Sequence, residues 1–301
     1  MFYSQEGNNG KGTLCQLLEN LCGKKNCTNI PMQDFSKDFL LESLIGKYAI
    51  IVNENDVDTY LNKAGILKAV ITGDTIQINR KFKQPVSYQF RGFMVQCVNG
   101  LPKTKDKSNS LYRRMLIVPF KKCFTGAERK YIKTDYINRQ EVLEYVLWRV
   151  LNMDYYELDE PAECRNAMAE FREDNEPVLA FWNEFRDQFA WDELPFKFLY
   201  DMYKAWHLRF NQGGALFGDR TFIRELRRVI ENDHEWEATD NAPMNRKKMY
   251  KPEYLVDDYK LFGWKWYDNG VHKYGPPVTM RTYKGLYRVT PAGGTGAGGQ
   301  P

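Results

Sequence analysis

Apolar and polar positions follow two periods along the first 120 residues. In "LCQLLENLC", Leu14, Leu17, Leu18 and Leu21 recur at i, i+3, i+4 and i+7, the spacing of one helix face. "YAIIVNE" (Tyr48 to Glu54) is instead an unbroken apolar run, which predicts a strand buried on both faces of a parallel sheet. "GFMVQCVN" (Gly92 to Asn99) and "RMLIVPF" (Arg114 to Phe120) read the same way. Between them, "TIQINRKFKQPVSYQF" alternates and carries a proline, and so reads as a hairpin. Strands that alternate with helices predict an α/β sheet domain.

Helical patterning then takes over. "RQEVLEYVLWRVL" carries an apolar stripe through Val142, Tyr145, Val146 and Val150, and "EPAECRNAMAEFRED" continues with good helix formers. From about Asn175 the composition turns aromatic. "PVLAFWNEFRDQF", "FKFLYDMYKAWHLRF" and "RTFIRELRRVIEN" predict three helices; "KMYKPEYLVDD" and "LFGWKWYDNGVHKYG" predict short strands around a turn. Three helices followed by a β ribbon suggest a winged-helix-like module. The division expected is a sheet core over 1–125, a helical extension over 126–174, the C-terminal module over 175–290, and a glycine-rich flexible tail over 291–301.

Composition changes this picture little. With 301 residues, 43% hydrophobic and 15% aromatic, the chain has material for two folded domains. No apolar run approaches ~18 residues, so no membrane span is expected, and the start has no secretory leader pattern. The six cysteines form no C-x-x-C pair and the three histidines lie far apart, which argues against structural zinc. Free thiols in a reducing compartment fit a cytoplasmic protein. The net charge of +4 hides an asymmetry: from Arg80 to Lys122 there are eleven basic residues and one acid, Asp106.

The candidate chemistry begins at "EGNNGKGT", Glu6 to Thr13. Gly7, Asn8, Asn9, Gly10, Lys11, Gly12 and Thr13 lie between a short apolar start and an amphipathic helix, the setting of a phosphate-binding loop. Lys11 would reach the β- and γ-phosphates of a nucleotide. Thr13 would give the hydroxyl on the magnesium side, one residue later than usual, because Gly12 follows the lysine. Gln5 stands where the first glycine of such loops belongs. Glu54, after the second apolar run, is the candidate to activate water; Asn53 takes the place of a metal-holding acid, with Asp56 nearby. Asn99 tips the third run and is poised for the γ-phosphate. Arg113 and Arg114 precede the fourth and would serve as an arginine finger. Each residue also has an ordinary reading: a glycine turn, a strand-end acid, an Asn-Gly turn, a solvated basic pair.

In this order, "EGNNGKGT", "GKYAIIVNEND", "LKAVITGDTIQINRKFKQP", "FMVQCVNGLP" and "SNSLYRRMLIVPF" resemble the superfamily 3 helicase core, most of all the phage and plasmid primase-helicases and their poxvirus relatives. The resemblance is strong over roughly residues 1–125 and loose beyond. It implies an AAA+-type P-loop fold, ATP and Mg2+ as cofactors, a ring of subunits, commonly six, and translocation on single-stranded DNA at a replication fork. Lys11 and Thr13 match the family's nucleotide loop, Glu54 its catalytic acid and a metal-side residue, and Asn99 its sensor. Arg113 or Arg114 matches its arginine finger, acting on the neighbouring subunit. Lys68, Gly73 and Asp74 match an intermediate motif, and Arg80, Lys81 and Lys83 its DNA-contacting hairpin, where Phe82 could add stacking.

Family members often carry a primase domain and a helical collar before this core. Neither is expected here, so primer synthesis is not expected of this chain, and a separate primase or collar partner is. In "DRTFIRELRRVIEN", Arg220, Arg224, Arg227 and Arg228 could make a recognition-type helix, or pair with Glu225 and Glu231. The functional expectation is an ATP-hydrolysing DNA helicase motor. The alternatives are an ATP-binding replication or origin-binding switch without helicase activity, and a different P-loop enzyme such as a small-molecule kinase.

Overall fold

The computed structural model describes residues 1–56, 60–61, 64–155, 159–210, 216–231, 233–244, 249, 251–276 and 281–289. The glycine-rich tail lies outside them. The chain divides into two units, Met1–Asn175 and Glu176–Pro301.

In the first unit, β1 (Phe2–Tyr3) leads into helix α1 (Lys11–Cys22), followed by β2 (Cys27–Thr28), two short 3-10 turns, and β3 (Ala49–Val52). Next come β4 (Tyr60–Leu61), α2 (Gly65–Thr72), the hairpin β5 (Thr75–Arg80) and β6 (Lys83–Gln89), then β7 (Phe93–Val98), β8 (Lys103–Thr104), α3 (Asn109–Tyr112) and β9 (Val118–Pro119). Helices α4 (Lys130–Thr134), α5 (Gln140–Leu151) and α6 (Ala162–Asn175) complete the unit, so the 126–174 helices belong with the sheet.

Five strands form one sheet in the order β2-β3-β7-β1-β9, and every pairing is parallel. All four residues of β3 are buried, as its unbroken apolar run requires. Alternate positions feed opposite faces. Ile50, Val52 and Val98 join a core with Phe35, Leu44 and Phe171, while Ala49, Ile51 and Cys97 meet Cys15 of α1. Gly92 lets the chain enter β7 beneath Tyr48: a β-carbon there would stand 2.0 Å from the Tyr48 carbonyl oxygen.

One expectation needs correction. The strand expected over Arg114–Phe120 is only Val118–Pro119, because its first residues close the turn after α3 through Arg114 N–H to Leu111 O and Met115 N–H to Tyr112 O. Helix α1 faces the sheet through Cys15, Leu18 and Cys22; Leu14 and Leu17 line a cavity instead. The stripe of α5 is not core: no residue of that helix is buried, and Tyr145 and Val150 are more than half exposed.

The second unit runs α7 (Pro177–Phe185), β10 (Glu193–Pro195), α8 (Phe196–Phe210), α9 (Asp219–Ile230), β11 (Trp236–Pro243), α10 (Tyr254–Asp258), the hairpin β12 (Lys265–Asp268) and β13 (Val271–Tyr274), and β14 (Thr282–Arg288). Its sheet, β10-β14-β11, is antiparallel and brings together three segments that carry no strand pattern of their own. The segment "PEYLVDD", expected as strand, folds as α10, and only "KWYDNGVHKY" forms the expected ribbon.

The aromatic helices make the core here. Phe181 lies within 5.3–5.8 Å of the rings of Phe185, Tyr203, Trp206 and Phe222. Three buried indoles donate to carboxylates, Trp182 to Asp233 (3.1 Å), Trp206 to Glu184 (2.7 Å) and Trp264 to Asp201 (3.1 Å), so burial leaves those N–H groups paired. Among the described residues, no helix is long and apolar enough to cross a membrane.

Candidate nucleotide and nucleic-acid site

The glycine loop bridges β1 and α1. Gly10 takes φ +89° and caps α1, its carbonyl accepting from Thr13 N–H (3.1 Å) and Leu14 N–H (3.0 Å). Only glycine adopts that conformation at no cost. Asn8 is also left-handed (φ 52°), which asparagine tolerates. Gln5 is not among the positive-φ residues, so a side chain fits where the usual loop has its first glycine. Buried Asn9 staples the loop: its amide donates to Glu6 O, and its Oδ1 accepts from Lys11 N–H (3.2 Å). On the far side, Phe124 N–H donates to Asn8 O (2.9 Å) and the Asn8 amide donates to Thr125 Oγ1 (3.2 Å).

Lys11 is 7% exposed, and its Nζ donates to Ser4 O (3.3 Å) and to Asn99 Oδ1 (3.1 Å). Burial pushes its pKa below the ordinary lysine value, with a weak opposing effect from Cys97. The two residues lie 88 positions apart in sequence, and the sheet brings them together. Tyr3 pairs with Val98 and Val52 with Gln96, so Ser4, Asn99 and Glu54 all follow the carboxyl ends of adjacent parallel strands. That edge of an open α/β sheet is where ligands bind. With neighbouring strands about 4.8 Å apart, Glu54 stands roughly 10 Å across the sheet from the loop strand.

Glu54 and Asn53 are exposed, whereas Asp56 accepts from the Gln33 amide (2.7 Å). Arg113 is exposed at the end of α3. Arg114 is partly buried and turns back to Ser110, donating to its carbonyl and to Oγ (2.6 Å). Among the described residues, no group of three His, Cys, Asp or Glu side chains is placed to hold a metal alone. Mg2+ commonly uses one or two protein groups, with phosphates and waters completing its shell, so a site of this kind needs no such group of three.

Asn55 was not a sequence candidate, although it does the positioning. It is 3% exposed; its amide donates to Gln96 Oε1 (3.0 Å) and Cys97 O (2.9 Å), and its Oδ1 accepts from Met32 N–H (3.1 Å). Gln96 in turn donates to Ile30 O (3.0 Å). This network ties the end of β3 to β7 and so fixes where Glu54 emerges. The available signal was Gln96, a polar residue inside a buried apolar run, which needs a buried partner. Asn55→Ala would strand Gln96 Oε1 and the Met32 N–H, and is expected to lower stability by about 2–4 kcal/mol in denaturant unfolding.

A second missed feature is the wall facing the loop. A cavity of about 1090 Å³ is lined by Asn8 to Thr13, Leu14 and Leu17 on one side. On the other it is lined by residues 122–137, including Lys122, Arg129, Lys130 and Lys133.

Away from the sheet edge, β5 and β6 form the expected hairpin, with Arg80 paired to Lys83 and a two-residue tip, Lys81-Phe82. Phe82 is 95% exposed and holds φ 59°, a strained conformation for a bulky side chain. A two-residue hairpin tip calls for such a positive φ. The Lys81 ammonium lies 5.4 Å from its ring, and Lys83 is exposed. Arg80 curls back onto Gln84 O (2.9–3.0 Å) and closes the tip. Below, Lys68 pairs with Asp106 (2.6 Å), the one acid of the basic stretch. Burial opposes the charged carboxylate, but Lys68 and Ser108 hold the Asp106 pKa below its ordinary value. In the second unit, Arg224 pairs with Glu225, Arg227 with Asp240, and Arg228 with Glu176 and Glu225. Three of the four arginines considered for a recognition helix are therefore engaged within their own unit.

The family of unknown function DUF5906 matches residues 2–114, which contain the loop and all three strand ends. The family described as Poxvirus D5 protein-like matches residues 173–261. No curated protein matches the chain. Among solved structures it is similar to the JCV helicase bound to an acetamide compound, at 16% identity over 57% of this chain and 49% of that one, with a TM-score of 0.34. It is also similar to the apo A form of the NrS-1 C-terminal region, at 17% identity over 82% and 63%, with a TM-score of 0.42. The chain thus spans less than two thirds of either solved structure. The poxvirus D5-like match thus follows the stretch that carries the motifs, and the two family matches cover separate parts of the chain.

Proposed function

We propose that this chain is an ATP-dependent DNA helicase motor of phage or plasmid replication, which hydrolyses ATP between subunits of a ring and translocates on single-stranded DNA. The observation that carries the reading is the Lys11–Asn99 contact at the carboxyl edge of the parallel sheet, with Glu54 on the next strand. A loop lysine, a polar strand tip and an acid across the sheet are the parts that phosphoryl transfer to water requires. The strand order, with the loop strand flanked by the Asn99 strand and the last strand, supports an AAA+-type P-loop fold.

In this reading the amides of Gly7 to Gly12 cradle the phosphates, Lys11 contacts the β- and γ-phosphates, and Asn99 orients the γ-phosphate. Glu54 takes the proton of the attacking water. Mg2+, when bound beside Thr13 and Glu54, would neutralise charge developing on the phosphates. Exposed Arg113 is better placed than Arg114 to reach a neighbouring subunit's nucleotide, because Arg114 is held by Ser110.

The order helix, strand, two helices and strand, with β14 joining β10 and β11 after an inserted α10 and the β12–β13 hairpin, supports a winged-helix-like second unit. Its arginines are largely paired, so the hairpin is the stronger candidate to hold DNA. Lys81→Ala with Lys83→Ala is expected to weaken single-stranded DNA binding and flatten its salt dependence by about 1.4 in the log–log slope. Phe82→Ala is expected to cost about tenfold in affinity while leaving that slope alone. Fluorescence anisotropy across a salt series checks both; unchanged slopes in the lysine variant would remove the hairpin from the DNA path.

The deciding experiment is steady-state ATP hydrolysis against protein concentration, with and without single-stranded DNA. The motor reading expects a rate per subunit that rises with concentration and with DNA. Hydrolysis indifferent to DNA would return the nucleotide-switch reading, and absence of ATP binding would remove both.

A further inference from the structure

The loop has a gap in its chemistry at Gly12, where phosphate-binding loops carry a hydroxyl after their lysine. The helix turns about 100° per residue, so the Thr13 hydroxyl cannot occupy the same place. In the fold another group stands beside that space. The Nζ of Lys133 lies 3.6 Å from the point where a β-carbon of residue 12 would stand. Lys133 belongs to α4, and the geometry points to this lysine as a second phosphate-binding cation that replaces the missing position-12 side chain. The assignment rests on the nucleotide reading above and names a residue outside all the sequence motifs.

The surroundings are built to hold it there. The Gln16 amide, on α1, donates to Lys133 O (3.2 Å) and to Asn138 Oδ1 (3.0 Å). Asn20, one turn further along α1, donates to Ile137 O and to Asn138 Oδ1 (both 2.9 Å). The Asn138 amide closes the set on Lys133 O (3.0 Å). Four hydrogen bonds thus fix the end of α4 and the turn after it to the helix that begins at the loop, and a fifth ties that turn to α4. The loop's other flank is anchored to the same segment through Asn8, Phe124 and Thr125. Lys133 makes no ion pair among the described residues.

The other cations of the wall are less suited. The Lys122 ammonium lies over the Phe124 ring at 5.3 Å, and only Lys133 comes within 4 Å of the position-12 site. An ammonium has three donors and no acceptor, so it serves phosphate oxygens directly and without a metal. Lys11 and Lys133 then grip the polyphosphate from two sides of the first turn of α1. Lys11 is buried and rooted in the sheet; Lys133 is exposed and swings in from α4.

The test is calorimetric titration of the full chain with ATP, with Mg2+ and with a chelator, alongside thermal unfolding. Lys133→Met is expected to weaken ATP binding about tenfold, most clearly without Mg2+, with no change in unfolding midpoint. Lys133→Arg is expected to stay within about threefold of the parent, since charge and reach are kept. Gly12→Ser in the Lys133→Met background is expected to recover ATP affinity in Mg2+ but not in chelator, because a hydroxyl acts through the metal.

Unchanged affinity in Lys133→Met overturns the assignment. So does a loss accompanied by a lower unfolding midpoint that Lys133→Arg fails to restore, which would make the residue structural. Lys11→Ala separates the two levels. If it abolishes ATP binding while Lys133→Met binds normally, only the Lys133 assignment fails; if Lys11→Ala binds normally, the nucleotide reading fails with it.

Discussion

Lys11→Met is expected to lose ATP hydrolysis by about 10²–10³-fold, with nucleotide affinity falling alongside. Two of the three ammonium donors are already directed at Ser4 O and Asn99 Oδ1, which leaves the third for a phosphate oxygen. Both partners are neutral, so this buried cation has no carboxylate to satisfy it, and burial holds its pKa below the ordinary lysine value. A desolvated charge awaiting an anion is what preorganised phosphate binding needs. The sign of the pH effect follows. The ammonium binds phosphate and the free amine does not, so ATP affinity should fall as pH rises, and at a lower pH than an ordinary lysine would give. The methionine keeps the stem that fills the space under the loop, which separates lost charge from lost packing. Titration and unfolding on the same sample decide the matter: a Lys11→Met protein that binds ATP like the parent would sink the site.

Glu54→Gln should separate binding from chemistry. Hydrolysis is expected to fall by about 10²–10⁴-fold while ATP binding is retained, because the amide keeps the shape and loses the base. The residue is exposed at the end of β3, and the Asn55 network fixes that end, so the carboxylate reaches from a rigid support. Asp56, the nearest alternative, is bonded to Gln33, and Asp56→Asn is expected to have a much smaller effect. Single-turnover hydrolysis with saturating ATP is the measurement. Parent-like rates in Glu54→Gln would move the base elsewhere, with Asp56 the next to try.

The readings that followed from local pattern and those that did not differ in a physical way. The run at Ala49–Val52 is buried on both faces, and no helix of that composition would bury all four residues in sequence. The β5–β6 hairpin likewise follows from strict alternation. The stripe of α5 marked a helix and no more, because periodicity states which residues share a face and not whether anything covers it. Leu14 and Leu17 make a related point: the apolar face of α1 is wide enough to serve both a sheet and a cavity. The sheet of the second unit was illegible because β10, β11 and β14 pair across 39 to 94 residues and carry polar residues at most exposed positions. Lys133 was invisible among ordinary lysines, since what sets it apart is a neighbour more than a hundred residues away.

The sequence by itself determined the order of the motifs, the buried strands they end, and the glycines that let the loop form, because these depend on residues within a few positions of one another. Only the tertiary structure decided that Lys11 meets Asn99, that Asn55 anchors the strand ends, and that Lys133 stands over Gly12. Those contacts depend on strand order and on how helices lie across the sheet, which local periodicity does not encode.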